Sequence, residues 1–164
     1  MERDGYDLEA AEGTFELLLR EALRPGATFF EVESYRLALD KEGAAPLQAT
    51  AAVRLRAGSE VLYGTAGGHG ALDTLHRALR TCLAGMCPEI QNVRLVDYKV
   101  RLLDARAGTE GKVRVLVRWA CRGSAWSTAG VSDNVVEASW NALLDAVRLE
   151  LMRLRDGRVQ AKGA

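Results

Sequence analysis

Apolar and polar residues alternate along two regions of this chain and recur at helical spacing along three others. Between residues 7 and 23, Leu8, Phe15, Leu18, Leu19 and Leu23 follow one helix face, with Ala10 and Ala11 between them. Pro25-Gly26 stops that pattern. From Phe29 to Asp40, Phe30 and Val32, and then Tyr35, Leu37 and Leu39, alternate with polar residues, which predicts a strand. Lys41 to Pro46 reads as a turn. Leu47, Ala49, Ala51, Val53 and Leu55 then alternate with Gln48, Thr50, Arg54 and Arg56. Ala57-Gly58-Ser59 reads as a tight hairpin turn, with a returning strand over Glu60 to Ala66. Gly67-Gly68-His69-Gly70 breaks the alternation. From Ala71 to Leu83, Leu72, Leu75, Leu79 and Leu83 share one helix face.

The same order then returns. Asn92 to Asp104 predicts a strand, with an irregularity near Tyr98 where the phase of Val93 and Leu95 gives way to that of Val100 and Leu102. Ala107-Gly108 is a turn. Val113, Val115, Val117 and Trp119 alternate with Lys112, Arg114, Leu116 and Arg118 as far as Cys121. Arg122-Gly123-Ser124 predicts a hairpin, and Ala125 to Val131 its return. Ser132-Asp133-Asn134 is rich in helix-capping types, and Asn134 with Glu137 resembles a capping box. The closing helix carries Val136, Trp140, Leu143, Leu144, Val147, Leu151 and Leu154.

Identities reinforce the repetition. Thr65-Ala66-Gly67 and Thr128-Ala129-Gly130 lie 63 residues apart, as do Tyr35 and Tyr98; Ala78-Leu79 and Ala142-Leu143 lie 64 apart. A repeat of this length is one supersecondary unit used twice. The expected fold is therefore α+β: two pseudo-symmetric βββα units preceded by a linker helix. The expected division is a helical linker segment over 1–26 and a (βββα)₂ domain over 27–164. Six strands have only two helices to cover them, so a second copy is expected to cover a sheet face or the outer side of the helices. Trp119 and Trp140 are apolar enough to serve, and a homodimer follows as an expectation.

Composition narrows the function. Of 164 residues, 22 are Lys or Arg and 22 Asp or Glu, so no basic excess favours nucleic acid. No apolar run approaches the ~20 residues of a membrane span. The N-terminus lacks the apolar core of a signal peptide. Three cysteines, an odd number, read as reduced thiols in a cytoplasmic protein.

Candidate chemistry is sparse. His69 and His76, with Cys82, Cys87 and Cys121, do not make a metal-ligand set. Nothing pairs a nucleophile with a base, so no catalytic residue, cofactor or metal is assigned to this chain. The most pointed feature is Gly68-His69-Gly70 with Asp73 in the following helix turn. Free backbone N–H groups at a helix start attract a carboxylate, and Asp73 would take an ammonium. A free amino acid carries both. The alternative is that the glycines only permit a tight turn and Asp73 only complements the helix dipole.

At these residues the chain resembles a known family. Gly68-His69-Gly70-Ala71-Leu72-Asp73-Thr74-Leu75, Leu95-Val96-Asp97-Tyr98-Lys99-Val100 and the stretch from Gly130 to Ser139 are similar to the C-terminal regulatory domain of the 2-isopropylmalate synthase family. Trp126-Ser127-Thr128, Ala138-Ser139-Trp140 and the segment Glu9 to Leu18 resemble its citramalate synthase branch. The resemblance implies an acyltransferase parent that condenses acetyl-CoA with a 2-oxo acid on a (β/α)₈ barrel. That barrel, with its divalent metal, is not expected within these 164 residues. It also implies a dimerising domain that binds an amino-acid end product, isoleucine in the citramalate branch or leucine in the other, and feeds back on the barrel. By the resemblance, Gly68, His69 and Gly70 would face the effector's charged ends, Leu72 and Asp73 would begin the helix beneath it, and Leu95, Tyr98, Leu102 and Val113 would line its side-chain pocket. Two departures stand out: His69 where the family commonly has Asp or Asn, and Ala71 where it often has Pro.

Overall fold

A computed structural model describes residues 11–26, 28–103 and 111–162. In chain order the elements are α1 (Glu12–Leu23), β1 (Glu31–Asp40), β2 (Gln48–Ala57), β3 (Glu60–Gly68), α2 (Ala71–Leu83), a 3-10 turn (Pro88–Asn92), β4 (Arg94–Leu102), β5 (Val113–Cys121), β6 (Ser124–Ser132) and α3 (Val135–Lys162). This is the expected α+β fold, two antiparallel three-stranded sheets, β1-β2-β3 and β4-β5-β6, each followed by its helix. The expectations over residues 7–10 and for Asp104 and Ala107-Gly108 fall outside the described residues. Among the described residues no helix is long and apolar enough to cross a membrane.

The chain falls into two compact units: residues 28–91, and residue 92 onward together with α1. In the 28–91 unit, Ala49, Ala51, Val53 and Leu55 of β2 are buried on one face of the sheet. α2 lies over β2 and β3 and buries Leu75, Leu79 and Leu83. Alternation sends Thr50, Ala52, Arg54 and Arg56 to the exposed face. The helix comes so near that a Cβ on Gly64 would lie 2.1 Å from the Ala78 carbonyl oxygen. Glycine is the residue that admits this approach.

The other unit repeats the plan. Val115, Val117 and Trp119 are buried beneath α3, with Leu143, Val147 and Leu149. A Cβ on Gly130 would lie 1.9 Å from the Ala138 carbonyl oxygen. α1 packs on β6 and α3 of this unit. The Ser127 amide donates to Glu12 Oε1 (3.1 Å), and the Ala129 amide to Thr14 Oγ1 (3.0 Å). Thr14 in turn donates to Asp145 Oδ2 (3.1 Å). α1 thus meets the outward N–H groups of an edge strand with its own side chains, which closes that edge to further pairing.

The structure changes several readings. Trp119 and Trp140 are 0% and 3% exposed, so they fill the core of their own unit and are not available to a second copy. Trp119 faces inward with Val115 and Val117, and its indole N–H donates to Thr128 Oγ1 (2.8 Å). β3 runs through Gly67 and Gly68, which pair with Thr50 and Ala49; the glycine run ends the strand without breaking it earlier. The irregularity near Tyr98 is a register shift between Leu95 and Asp97, matched by one between Val32 and Ser34 in β1.

The two Thr-Ala-Gly triplets are not equivalent positions. Gly130 pairs with Val115 on the buried face, whereas Gly67 pairs with Thr50 on the outer face. The hairpins (Ala57 with Glu60, Cys121 with Ser124) and the helix starts are 64 residues apart, while the register shifts in the first strands are 63 apart. The extra residue therefore falls between the first and second strands. A slip of one residue reverses every side chain of a strand, so triplets 63 apart lie in opposite phase.

Candidate functional site

Of the two helices that follow a sheet, α2 has the start without a side-chain cap; α1, whose N-cap is Ala11, also begins without one. The α2 N-cap is Gly70, in an extended conformation and without a side-chain hydrogen bond. The Thr74 amide already returns to the Gly70 carbonyl (3.0 Å), so the amides of the preceding turn, from Ala71 to Asp73, are the ones left over. Thr74 Oγ1 also donates to the Gly70 carbonyl (2.7 Å). His69 Nδ1 lies 3.0 Å from the Leu47 carbonyl oxygen. A carbonyl only accepts, so the bond needs the proton on Nδ1, and it ties the turn to the chain entering β2.

The start of α3, by contrast, is filled by its own residues. Asn134 Oδ1 accepts from the Val136 amide (2.8 Å) and the Glu137 amide (3.3 Å). Ser132 Oγ donates to Glu137 Oε2 (2.8 Å) and accepts from the Asn134 amide (3.1 Å). The expected cap is present, with the Glu137 side chain turned to Ser132. The carboxylates of Glu137 and Asp133 already supply negative charge at this dipole end.

Of the residues expected at the effector site, Gly68, His69, Gly70, Leu72 and Asp73 fall in the 28–91 unit, and Leu95, Tyr98, Leu102 and Val113 in the other. Within the first group, Leu72 is 9% exposed and belongs to the core beneath the turn. Asp73 is exposed, with Arg77 Nε 3.4 Å from its Oδ2. Arg77 was not among the expected residues. Its guanidinium crosses the end of β3 so closely that a Cβ on Gly68 would meet Arg77 Nη2 at 2.8 Å. The signal was present: Asp73 and Arg77 stand four apart on a helix.

In the second group, the register shift does the positioning. Leu95 and Tyr98 are three residues apart and would face opposite ways on a regular strand. The extra residue, Val96, returns Tyr98 to the face of Leu95: Leu95 pairs with Trp119, Tyr98 with Val117 and Leu102 with Val113. All four therefore share the inward face of β4 and β5. Ser139 Oγ donates to the Val135 carbonyl (2.6 Å), so the Tyr98 hydroxyl is the donor in its 2.9 Å bond to Ser139. Its hydroxyl is thus anchored to α3. α3 lies over β5 and β6, and Tyr98, Val100 and Leu102 stay 39–47% exposed. In β1, Leu39 on the corresponding face is 49% exposed.

Among the described residues no group of three His, Cys, Asp or Glu is placed to hold a metal. The three cysteines are buried and none is in a disulfide. Burial raises the Cys82 thiol; burial and the neighbouring Glu150 push Cys121 up to about 11. Neither is a ready nucleophile.

Residues 9–151 match the family model of the LeuA allosteric (dimerisation) domain. The chain is 40% identical over 153 residues to the (R)-citramalate synthase of Geobacter sulfurreducens, covering 92% of this chain and 29% of that protein. It is 42% identical over 150 residues to the (R)-citramalate synthase of Streptomyces coelicolor, covering 91% of this chain and 28% of that protein. It is 27% identical over 104 residues to the 2-isopropylmalate synthase of Bacillus velezensis, covering 63% of this chain and 18% of that protein. The chain spans less than a third of the curated relatives it matches. With the paired βββα units and the matching model over most of its length, the chain belongs to the LeuA allosteric (dimerisation) domain family.

Proposed function

We propose that this chain is the amino-acid-binding regulatory and dimerisation domain of a citramalate synthase, and that it senses isoleucine to inhibit the enzyme when the end product accumulates. The observation that carries the reading is the difference between the two helix starts. The α2 terminus offers backbone donors behind Gly70, with no capping side chain to displace. The corresponding α3 terminus is occupied by Asn134 and Glu137. A carboxylate is therefore favoured at α2, with Arg77 at its side and Asp73 for the ammonium. Relatives at 40–42% identity carry the citramalate name, which favours isoleucine over the leucine of the isopropylmalate branch. The exposed inward face of β4 is a surface that a second copy would cover, in keeping with a homodimer. The parent's barrel would supply the chemistry and the divalent metal, in a cytoplasmic enzyme. The feedback is allostery only in so far as the effector prefers one global state of that enzyme.

Calorimetric titration with isoleucine, leucine, valine and pyruvate tests the reading. Isoleucine binding with weaker leucine binding is expected. Gly70→Trp should abolish it and leave the fold intact, because a Cβ there meets only the Asp73 Cβ, at 3.8 Å. Tighter leucine binding would assign the domain to the 2-isopropylmalate branch. Silence with all four ligands from a folded dimer would leave a purely structural dimerisation module.

A further inference from the structure

The unit holding α3 carries a cavity of about 410 Å³ at the closed end of the β5–β6 hairpin, walled by Cys121, Arg122, Ser124, Glu150, Arg153 and Leu154. Its volume lies toward the small end of ordinary ligand pockets. Glu150 is only 7% exposed. Among the described residues its hydrogen-bond donor is the Cys121 thiol, at 3.5 Å, and a thiol is a weak donor. Buried carboxylates are ordinarily paired with a cation or with several N–H groups. Arg153, on the same wall, is already committed: it bonds Glu16 and lies over the Trp126 ring, 4.9 Å from its centroid.

The second anomaly is Arg122. It is the non-glycine residue with positive φ, +49°, among those described. With Gly123 at +82° it forms a two-residue turn whose first position ordinarily takes Asn, Asp or Gly. The corresponding position 64 residues earlier is Gly58, at +61°. The strained conformation keeps Arg122 on the cavity wall, and its charge, like that of Arg94, acts on the Cys121 thiol. Among the described residues no ion pair engages Arg122. The other repeat has nothing equivalent, with Ala57 for Cys121 and α2 ending at Leu83 before any counterpart of Glu150. Cys121 and Glu150 alone are too few donors for a metal.

We propose that this cavity is a second ligand site, distinct from the α2 terminus, which takes a small amino-acid zwitterion with its ammonium on Glu150 and its carboxylate on Arg122. A buried carboxylate whose donor among the described residues is a thiol, and an arginine that makes no ion pair there, stand on one small cavity and are the complement of that charge pair. Backbone strain kept at a position where glycine would relieve it points to a use for the side chain.

The test is a titration of the isotope-labelled chain with glycine, alanine and 4-aminobutyrate, following the Ser124 and Ala125 amide resonances. Saturable shifts are expected with at least one of them. Glu150→Gln and Arg122→Gly should each weaken that binding by about tenfold or more, the loss of a charged hydrogen bond. Both variants should fold, since one removes a buried charge and the other relaxes the turn; a dispersed amide spectrum checks this. Gly70→Trp should leave these shifts unchanged, so failure of the α2 reading and failure of this one are separable. No movement of Ser124 and Ala125 at tens-of-millimolar ligand would overturn the proposal. So would binding that survives either cavity substitution, or ethylammonium binding as tightly as alanine.

Discussion

The two βββα units have the same strand order and the same hairpin register, yet they treat their equivalent parts differently. The 28–91 unit leaves its helix start open and puts glycine in its hairpin turn. The other unit caps its helix with Asn134, puts Arg122 in the turn, and has its third strand covered by α1. Its β6 is buried over Trp126 to Gly130, whereas in β3 Tyr63, Thr65 and Gly67 are exposed. Duplication thus preserves what the backbone requires, while the side chains at helix ends, turns and edges are free to diverge. At the helix that follows its sheet, one unit keeps backbone donors on offer and the other consumes them internally.

The largest test of this comparison concerns glycine. Gly130→Ala and Gly64→Ala place a Cβ against helix backbone that cannot yield locally, and each should cost about 3 kcal/mol or more. Gly67→Ala, whose Cβ would have the Ala49 carbonyl oxygen 3.9 Å away as its near neighbour, should change urea stability by less than about 1 kcal/mol. Equal costs at Gly67 and Gly130 would mean that the triplets are equivalent after all.

The α1 clamp comes next. Thr14→Val removes the acceptor for the Ala129 amide and the donor to Asp145. It should cost about 2 kcal/mol by urea denaturation, for polar groups left unpaired. A cost near zero would show that α1 contributes little to this unit.

Acidification should then separate the units. Burial, reinforced by Arg80, holds His76 of the 28–91 unit down to about 3. Its unfolded form takes up a proton below about 6.5 while the folded form does not, so stability falls with pH below that value. Between pH 7 and pH 5 the loss is about 2 kcal/mol. Burial raises Asp145 of the other unit to about 6, against the hydrogen bond from Thr14 and the charge of Arg148. Its ionised form is penalised in the fold, so stability rises as pH falls through 6 toward the unfolded value. That gain is about 1 kcal/mol over the same interval. Hydrogen exchange, corrected for intrinsic rates, should show β2 and β3 losing protection at pH 5 while β5 and β6 gain it. Asp145→Asn should remove the gain. Parallel changes in both units would contradict this assignment.

The last test is Tyr98→Phe. It removes one part-buried hydrogen bond to Ser139 and should cost about 1 kcal/mol. If the β4 face lines the effector pocket, the same change also lowers isoleucine affinity; unchanged affinity would take Tyr98 out of that pocket.

Much of the fold was legible in advance. Alternation at Ala49 to Leu55 and at Val113 to Trp119 marked the two central strands with their buried faces, and the leucine spacing delimited α2 from Ala71 to Leu83 as observed. Those signals are local, because a strand or helix with one buried face must repeat its apolar residues at its own period. The candidate site was legible as residue types: a glycine turn before a helix and an acid in its first turn. Arg77 was missed because a guanidinium four residues along a helix has many destinations until the strand end is in place.

The sequence by itself therefore determined the order of the elements, the inward and outward phase of the two central strands, and the positions of both hairpins. Tertiary structure decided what spacing cannot express. The register set Gly64 and Gly130 beneath a helix and left Gly67 outside, although identity had paired Gly67 with Gly130. The shift at Val96 brought Leu95 and Tyr98 to one face, packing sent Trp119 and Trp140 inward, and the hairpin end brought Arg122 to the cavity of Glu150. The physical reason is the same in each case: periodicity specifies which face a residue takes, whereas its neighbours on that face depend on pairing between segments distant in sequence.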